Sequence, residues 1–405
     1  MELTIKNITE EILGDYTSLL QTYYDLHAHP ELSFREWETA ERISARLKSE
    51  EIEFRSIAGS GILARITPSS PLATPTTAIV LRADIDALPI CEETDLPHRS
   101  CNEGVMHACG HDMHATILLG TLALLNRHRD ALRHTIFGLF QPGEELNPGG
   151  AKLVLEETPF EGYDIVAFLG NHVEPTLPTG AIGICSGKYM AACDELHFTI
   201  RGKGGHAALR ERIVDPILPS AELIRKLYNL PATAPAEVGG TILSIGRIEA
   251  NGATNVVPDS VRLEGTMRTF DEEWRAALKG KIETLCRDIE AEHGVCVDNN
   301  FGEGYPSVVN TPALADAAGE ILGGLFEVRA LGTRPTGEDF GYYTERYPSL
   351  FYRLGVGYSG EEFGASRAGS LHTSTFSPDT RAIGLGVAAM TMLALGMGAH
   401  TDNGE

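Results

Sequence analysis

The chain has 405 residues, 42% of them hydrophobic and 22% charged, fractions that suit a soluble globular protein and exclude a disordered, collagen-like or coiled-coil chain. Its length suits two domains, or one large domain carrying an insertion. The 33 Lys and Arg against 56 Asp and Glu leave −23 with neutral His, a field that repels phosphate backbones and argues against nucleic acid as a partner.

The opening residues MELTIKNITEEILGDY lack the basic start and apolar core of a signal peptide. Residues 9–50 carry apolar side chains at helical spacing, interrupted at His29-Pro30. GILARI (61–66) and TAIVLRADI (77–85) have strand composition, with a Pro/Ser/Thr surface loop (67–77) between them. TILLGTLALLNRH (116–128) predicts a packed helix and HTIFGLFQP (134–142) an apolar strand. AKLVLEE (151–157) reads as a helix and IVAFLGNHV (165–173) as a strand. This alternation predicts an α/β fold with a mostly parallel sheet flanked by helices. Reactive groups in such folds gather at the carboxyl ends of strands, where RADID, QPGEE and GNHVE all lie.

From residue 187 the pattern changes. DELHFTIRG (194–202), GGTILSIGRIEA (239–250), SVRLEGTMRTF (260–270) and VCVDNNFGEGY (295–305) read as strands. Helices are expected at 215–230 and 271–293. The order β-α-β-β-α-β is that of a ferredoxin-like sandwich. Helix and strand alternation resumes after residue 303. The expectation is one domain formed by 1–186 and 303–405, interrupted by an inserted α+β domain at 187–302. AIGLGVAAMTMLALGMGA (382–399) approaches membrane-span length, but its Gly and Ala content fits a buried helix packed on the sheet. No membrane partner is expected. The seven Cys (91, 101, 109, 185, 193, 286 and 296) are odd in number and scattered, which suits a reducing compartment; a cytoplasmic location is expected.

HACGHDMH packs His107, Cys109, His111, Asp112 and His114 into eight positions, a density of thiolate, imidazole and carboxylate that suits a transition metal. Cys109 and His111 are the preferred ligands, with His107 and His114 read as supporting residues. In QPGEE, two adjacent carboxylates at the end of an apolar strand need a cation or a shared proton. One of them can then serve as ligand and the other as general base on metal-bound water. His172 and His372 are weak signals singly and gain weight by completing a ligand set. Asp84 suits the orientation of a ligand imidazole, while Asp86 suits a turn cap before Pro89. His27 and His29, flanking the start of HPELSFRE, read as structural. His206 in GKGGHAA, Asn255 and Arg268 remain ambiguous between substrate contacts and an ordinary turn or wet sheet face. No G-x-S-x-G nucleophile signature is present.

Taken in order, HPELSFRE, LRADIDALP, HACGHDMHA, FQPGEE, GNHVEP, GKGGHAA, ATNVVPDSVRLEGTMRTF, GEDF and LHT closely resemble the peptidase family M20 amidohydrolases, in the branch acting on N-acyl amino acids, auxin conjugates and hippurate. The resemblance covers nearly the whole chain. It implies a zinc-peptidase-like catalytic domain with an inserted lid domain that mediates homodimerisation. It implies that Cys109, His111, Glu145, His172 and His372 bind two divalent metals, with zinc the default and manganese, cobalt or nickel also acceptable. Glu144 would be the catalytic base, Asp84 an auxiliary catalytic residue and His206 a donor to the substrate carbonyl oxygen. Asn255 and Arg268 would hold the substrate. Arg82 departs from the broader family, where a His two positions before the strand's Asp is a ligand. The implied reaction is hydrolysis of an N-acyl-L-amino acid to a carboxylic acid and an amino acid. A metallo-dipeptidase or carboxypeptidase and a catalytically silent ligand-binding homologue are the alternatives.

Overall fold

The structure, a computed structural model, describes residues 5–74, 76–358 and 368–400. Met1–Thr4, at the start of the opening stretch that lacks signal-peptide features, and Pro75 in the Pro/Ser/Thr loop lie outside the described residues. The chain divides into two compact units, one of residues 1–187, 309–332 and 342–405, the other of 188–308 and 333–341.

In the first unit, helices α1 (Ile5–Ala28) and α2 (Trp37–Ser49) are separated by the His29-Pro30 break. Strands β1 (Glu53–Ile57) and β2 (Gly61–Ile66) form a hairpin, and β3 (Thr77–Asp84) follows. Helix α3 (His111–Arg127), β4 (Thr135–Gln141) and β5 (Asp164–Pro178) come next. The sheet runs β1, β2, β4, β3, β5, then the strands Ser349–Gly357, Ile182–Ile184 and Val328–Ala330. The four central strands, β4, β3, β5 and Ser349–Gly357, are parallel, as their near-continuous burial requires. β5 continues past His172 to Pro178, so that His lies within a longer strand than expected.

α3 is buried from His111 to Leu125, its mostly apolar run Ala115–Leu125 together with the polar His111, Asp112 and His114 of its first turn. Ile117, Leu118, Leu122 and Leu125 join Ile79, Leu81, Leu169 and Leu354 in one core. The helix Ala382–His400 enters the same core through Ile383, Val387, Met390 and Leu393, as its composition predicted. No described helix is long and apolar enough to cross a membrane.

The second unit has a four-stranded antiparallel sheet in the order Thr241–Glu249, Ser260–Thr269, Ala192–Arg201, Cys296–Phe301. Helices Ile217–Asn229 and Glu272–His293 contribute Leu223, Leu227, Leu278 and Ile282 to its own core. The later helix starts on Asp271, whose side chain accepts the Trp274 N–H. Residues 303–308 and 333–341, expected with the first unit, belong here. Arg334 N–H donates to the Tyr189 carbonyl, and Gly337 packs so tightly on Cys193 that a Cβ there would lie 1.8 Å from its sulfur.

Candidate metal centre

Strand register brings the candidate residues of the first unit to one end of the sheet. Asp84 at the end of β3 pairs with Gln141 at the end of β4, and Arg82 pairs with Gly170, two residues before His172 on β5. The chain leaves β4 through Pro142-Gly143 and delivers Glu144 and Glu145. It enters α3 through Gly110, whose left-handed φ of 85° and close approach to Val173 (a Cβ would meet Cγ2 at 2.6 Å) exclude any side chain. His372, itself left-handed at φ 61°, is drawn in by its N–H donating to the Ala108 carbonyl at 2.9 Å.

Cys109 Sγ lies 3.3 Å from Nε2 of His172 and 3.3 Å from Nε2 of His372. His372 Nε2 is 3.2 Å from Glu145 Oε1, which is 3.9 Å from His111 Nε2. Cys109–His111–His172, Cys109–Glu145–His372 and His111–Glu144–Glu145 each offer ligand atoms within 4.8 Å of one another. The five residues expected as ligands, and Glu144, therefore converge from four separate parts of the sequence.

The donor set fits a cation. His172 Nδ1 donates to the Val173 carbonyl at 2.7 Å, leaving the Nε2 lone pair toward Cys109. His111 Nδ1 faces Asp86 Oδ1 at 3.2 Å, leaving its Nε2 toward the carboxylates. That Nε2 is buried without a hydrogen-bond partner among the described residues, a costly arrangement unless a ligand satisfies it. Sulfur, imidazole and carboxylate together suit zinc and its first-row neighbours.

The electrostatics agree. Burial pushes the Cys109 thiol well above its usual range, and the carboxylates of Glu145, Glu144 and Asp84 push it further. A divalent ion reverses that push, since a coordinating thiol loses its proton. Burial, reinforced by Arg353, holds His172 well below the usual imidazole value and therefore neutral, as a ligand must be. For His111, burial lowers the value, but Asp84, Asp86 and Glu145 outweigh it and raise it to about 10. This is the mark of a cation-seeking pocket.

The roles of the two β3-end aspartates differ from expectation. Asp84 is fully buried between Arg82 Nη1 at 2.6 Å and His114 Nδ1 at 2.5 Å. It thus orients His114, which accepts the Val173 N–H, and sits 3.7 Å from His111 Nε2. Burial raises its carboxyl, but Arg82, His111 and His114 hold it well below the usual range. Arg82, where this sequence departs from the broader family, is a buried counter-ion that also donates to Gln141. The carboxylate that orients ligand-type His111 is Asp86, read from sequence as a turn cap. Its other oxygen accepts the Glu145 N–H at 2.9 Å and the Ser33 hydroxyl at 2.7 Å. Two ligand-type residues bracketing one Asp leave no sequence signal, because the contacts span 25 and 59 positions.

His27, read as structural, is part of a buried ion group. Its Nδ1 is 2.6 Å from Asp112 Oδ2 and its Nε2 is 3.3 Å from Glu92 Oε1. His206, Asn255 and Arg268 lie in the second unit. His206 and Asn255 are brought together, since the Ala207 N–H donates to the Asn255 carbonyl and His206 pairs with Val256. Both are exposed. Arg268, half-buried on its strand, donates to Thr266 Oγ1 and to the Met267 carbonyl; its strand belongs to the four-stranded sheet, whereas His206 pairs within a separate two-stranded one.

Comparison with known proteins agrees with this geometry. Residues 80–398 match the model of peptidase family M20/M25/M40. A Bacillus subtilis (strain 168) N-acetylcysteine deacetylase is 37% identical over 84% of this chain and 89% of its own length. A Geobacillus stearothermophilus N-acyl-L-amino acid amidohydrolase is 37% identical over 76% of this chain and 80% of its own. The crystal structure of the Bacillus subtilis YxeP protein, described as a dinuclear metal-binding peptidase from the M20 family, superposes with a TM-score of 0.80 at 34% identity, covering 94% of this chain and 98% of that one. With the family model spanning most of the sequence and full-length relatives above 30% identity, the chain belongs to peptidase family M20/M25/M40.

Proposed function

We propose that the protein hydrolyses the amide bond of N-acyl-L-amino acids, releasing a carboxylic acid and the free amino acid. It is a metal-dependent amide-bond hydrolase of its family. The observation that carries the reading is the convergence of Cys109, His111, Glu145, His172 and His372, with the Glu144 carboxylate within 4.8 Å of the His111 and Glu145 ligand atoms.

These five residues hold two divalent ions, zinc by preference, with manganese, cobalt or nickel also compatible with the donor set. Bound there, the metal supplies Lewis acidity that polarises a carbonyl and makes water more acidic. Glu144 takes a proton from the attacking water as its oxygen bonds to the amide carbon. When the C–N bond breaks, the same carboxyl returns that proton to the departing nitrogen. Asp86 fixes the His111 ring, and Asp84, with Arg82, fixes His114 beneath it. His206 supplies a donor for the developing oxyanion. The Ala208 N–H occupies its Nδ1 at 3.2 Å, which places the ring proton on Nε2. Loss of one such donor typically costs about a hundredfold or more in rate. Arg268 and Asn255 hold the amino-acid half, with the guanidinium suited to its carboxylate. The unit 188–308 with 333–341 acts as lid and homodimer contact. Seven cysteines, odd in number and scattered along the chain, support a reducing, cytoplasmic setting.

The test is amino-acid release by metal-loaded enzyme from acetyl, benzoyl, succinyl and indole-acetyl amino acids, with dipeptides alongside. Release from N-acyl substrates, cut to a small residual rate in Glu144→Gln with metal content unchanged, is expected. Cleavage of dipeptides alone would replace the reading with a dipeptidase.

A further inference from the structure

The segment Glu31–Glu36, between α1 and α2, supplies Ser33 to Asp86 and also grips the loop that carries Glu144. Glu36 is fully buried. One oxygen, Oε1, accepts the Phe34 N–H at 2.9 Å and the Gly143 N–H at 2.8 Å; the other, Oε2, accepts the Ser60 hydroxyl at 2.5 Å. Gly143 immediately precedes Glu144, and the bond to it crosses 107 positions of sequence. A buried carboxylate is tolerated when such donors satisfy it.

The neighbouring side chains tighten the hold. Phe34 adopts a left-handed φ of 62°, uncommon for an aromatic residue. Its ring lies where a Cβ on Gly143 would meet Cε1 at 2.3 Å. From the other side the β1–β2 turn closes on Pro142, where a Cβ on Gly61 would meet Cδ at 2.7 Å. Ser33 donates to Asp86 Oδ2, the oxygen that also accepts the Glu145 N–H. The loop Pro142–Glu145 is thus held at both ends by one stretch of chain and has little freedom left. That arrangement is what a general base needs, since a misplacement of about 1 Å lowers rates roughly a hundredfold.

We infer that Glu36 is a positioning residue for the reaction: its carboxylate fixes the Gly143 amide and thereby sets where the Glu144 carboxylate points. Glu36 touches neither substrate nor metal. The inference rests on the reading of Glu144 as base, and the test separates the two.

The variants are Glu36→Gln, Glu36→Asp, Glu144→Gln and the double variant Glu36→Asp/Glu144→Gln, made in the full chain and loaded with metal. For each, kcat, KM, bound metal and thermal midpoint are measured on the best N-acyl substrate. Glutamine keeps a carbonyl oxygen for Gly143 and Phe34, while Ser60 reverses its hydroxyl to accept from the amide. It is expected to retain kcat within about threefold. Aspartate falls one methylene short, and its kcat is expected to drop about a hundredfold with KM within twofold and metal content unchanged. In the Glu144→Gln background the aspartate substitution is expected to change the residual rate less than twofold. Glu36→Asp with near-full kcat, or with a kcat loss matched by lost metal or lost folded protein, would overturn the inference; so would an undiminished hundredfold effect in the Glu144→Gln background. Full activity in Glu144→Gln overturns the base assignment itself, whereas a nearly inactive Glu144→Gln beside a fully active Glu36→Asp removes only the positioning role.

Discussion

Asp86 Oδ1 lies 3.2 Å from Nδ1 of His111, and this contact decides which nitrogen of the ring faces Glu145. With the proton held on Nδ1, the Nε2 lone pair points into the cluster, the form a metal requires. Removing the carboxylate frees the ring to turn and to change tautomer. Asp86→Ala is expected to weaken metal affinity or activity by about 10–100-fold. Titration against a competing chelator measures this, and an affinity within twofold of wild type would contradict the assignment.

Metal binding also shows in stability. A ligand that binds only the folded chain adds about 2.7 kcal/mol at a free concentration one hundred times its dissociation constant. For the metal-stripped protein, adding zinc under those conditions is expected to raise the thermal midpoint by roughly 3–5 °C. Cys109→Ser and His372→Ala are expected to shrink that rise, because Cys109 Sγ and His372 Nε2 sit 3.3 Å apart and would share the site. An equal rise in wild type and both variants, followed by scanning calorimetry, would place the metal elsewhere.

His27 gives the protein a pH dependence of definite sign. Burial lowers its value, but hydrogen bonds to Asp112 and Glu92 outweigh burial and raise it from 6.5 to about 9. A raised folded value means that the stabilisation is complete below pH 6.5 and is lost as pH rises through 9. The gap in unfolding free energy between wild type and His27→Gln is expected to be larger at pH 6 than at pH 9.5, by roughly 3 kcal/mol. Urea unfolding of both proteins at the two values measures the gap. A gap that does not change with pH would show that His27 is neutral in the folded protein.

At Gly110, the approach to Val173 leaves no room for a methyl group and the backbone is left-handed. Gly110→Ala is expected to destabilise by about 2–4 kcal/mol, combining left-handed strain with overpacking. Because this residue sets the entry to α3 between Cys109 and His111, metal affinity should fall as well. Denaturant unfolding with parallel metal titration checks both effects, and an unchanged midpoint would mean that the loop relaxes at no expense.

The parts of the site that were legible in sequence are those whose chemistry is local. Cys109 and His111 announce themselves by density in HACGHDMH, and Glu144-Glu145 by two acids following an apolar strand. The central strands were equally plain, because β3, β4 and β5 are buried along most of their length and read as apolar runs. What stayed hidden depends on side chains meeting across long separations. Asp84 and Asp86 are two residues apart in RADID and look interchangeable, yet β3 ends at Asp84, which reaches His114, and the irregular chain after it takes Asp86 to His111. Glu36 and His27 sit in a stretch with no ligand-like neighbours, and only the fold brings them to Gly143 and Asp112. Likewise, residues 333–341 resemble any loop until Arg334 and Gly337 meet Tyr189 and Cys193.

The central claim is that one sulfur, three imidazoles and a carboxylate enclose divalent ions. Anomalous diffraction at the zinc edge from metal-soaked crystals tests it most directly. Peaks are expected about 2.3 Å from Cys109 Sγ and about 2.0–2.1 Å from imidazole nitrogens of His111, His172 and His372. Strong peaks lying only outside this cluster, with Cys109, His172 and His372 free of metal, would contradict it.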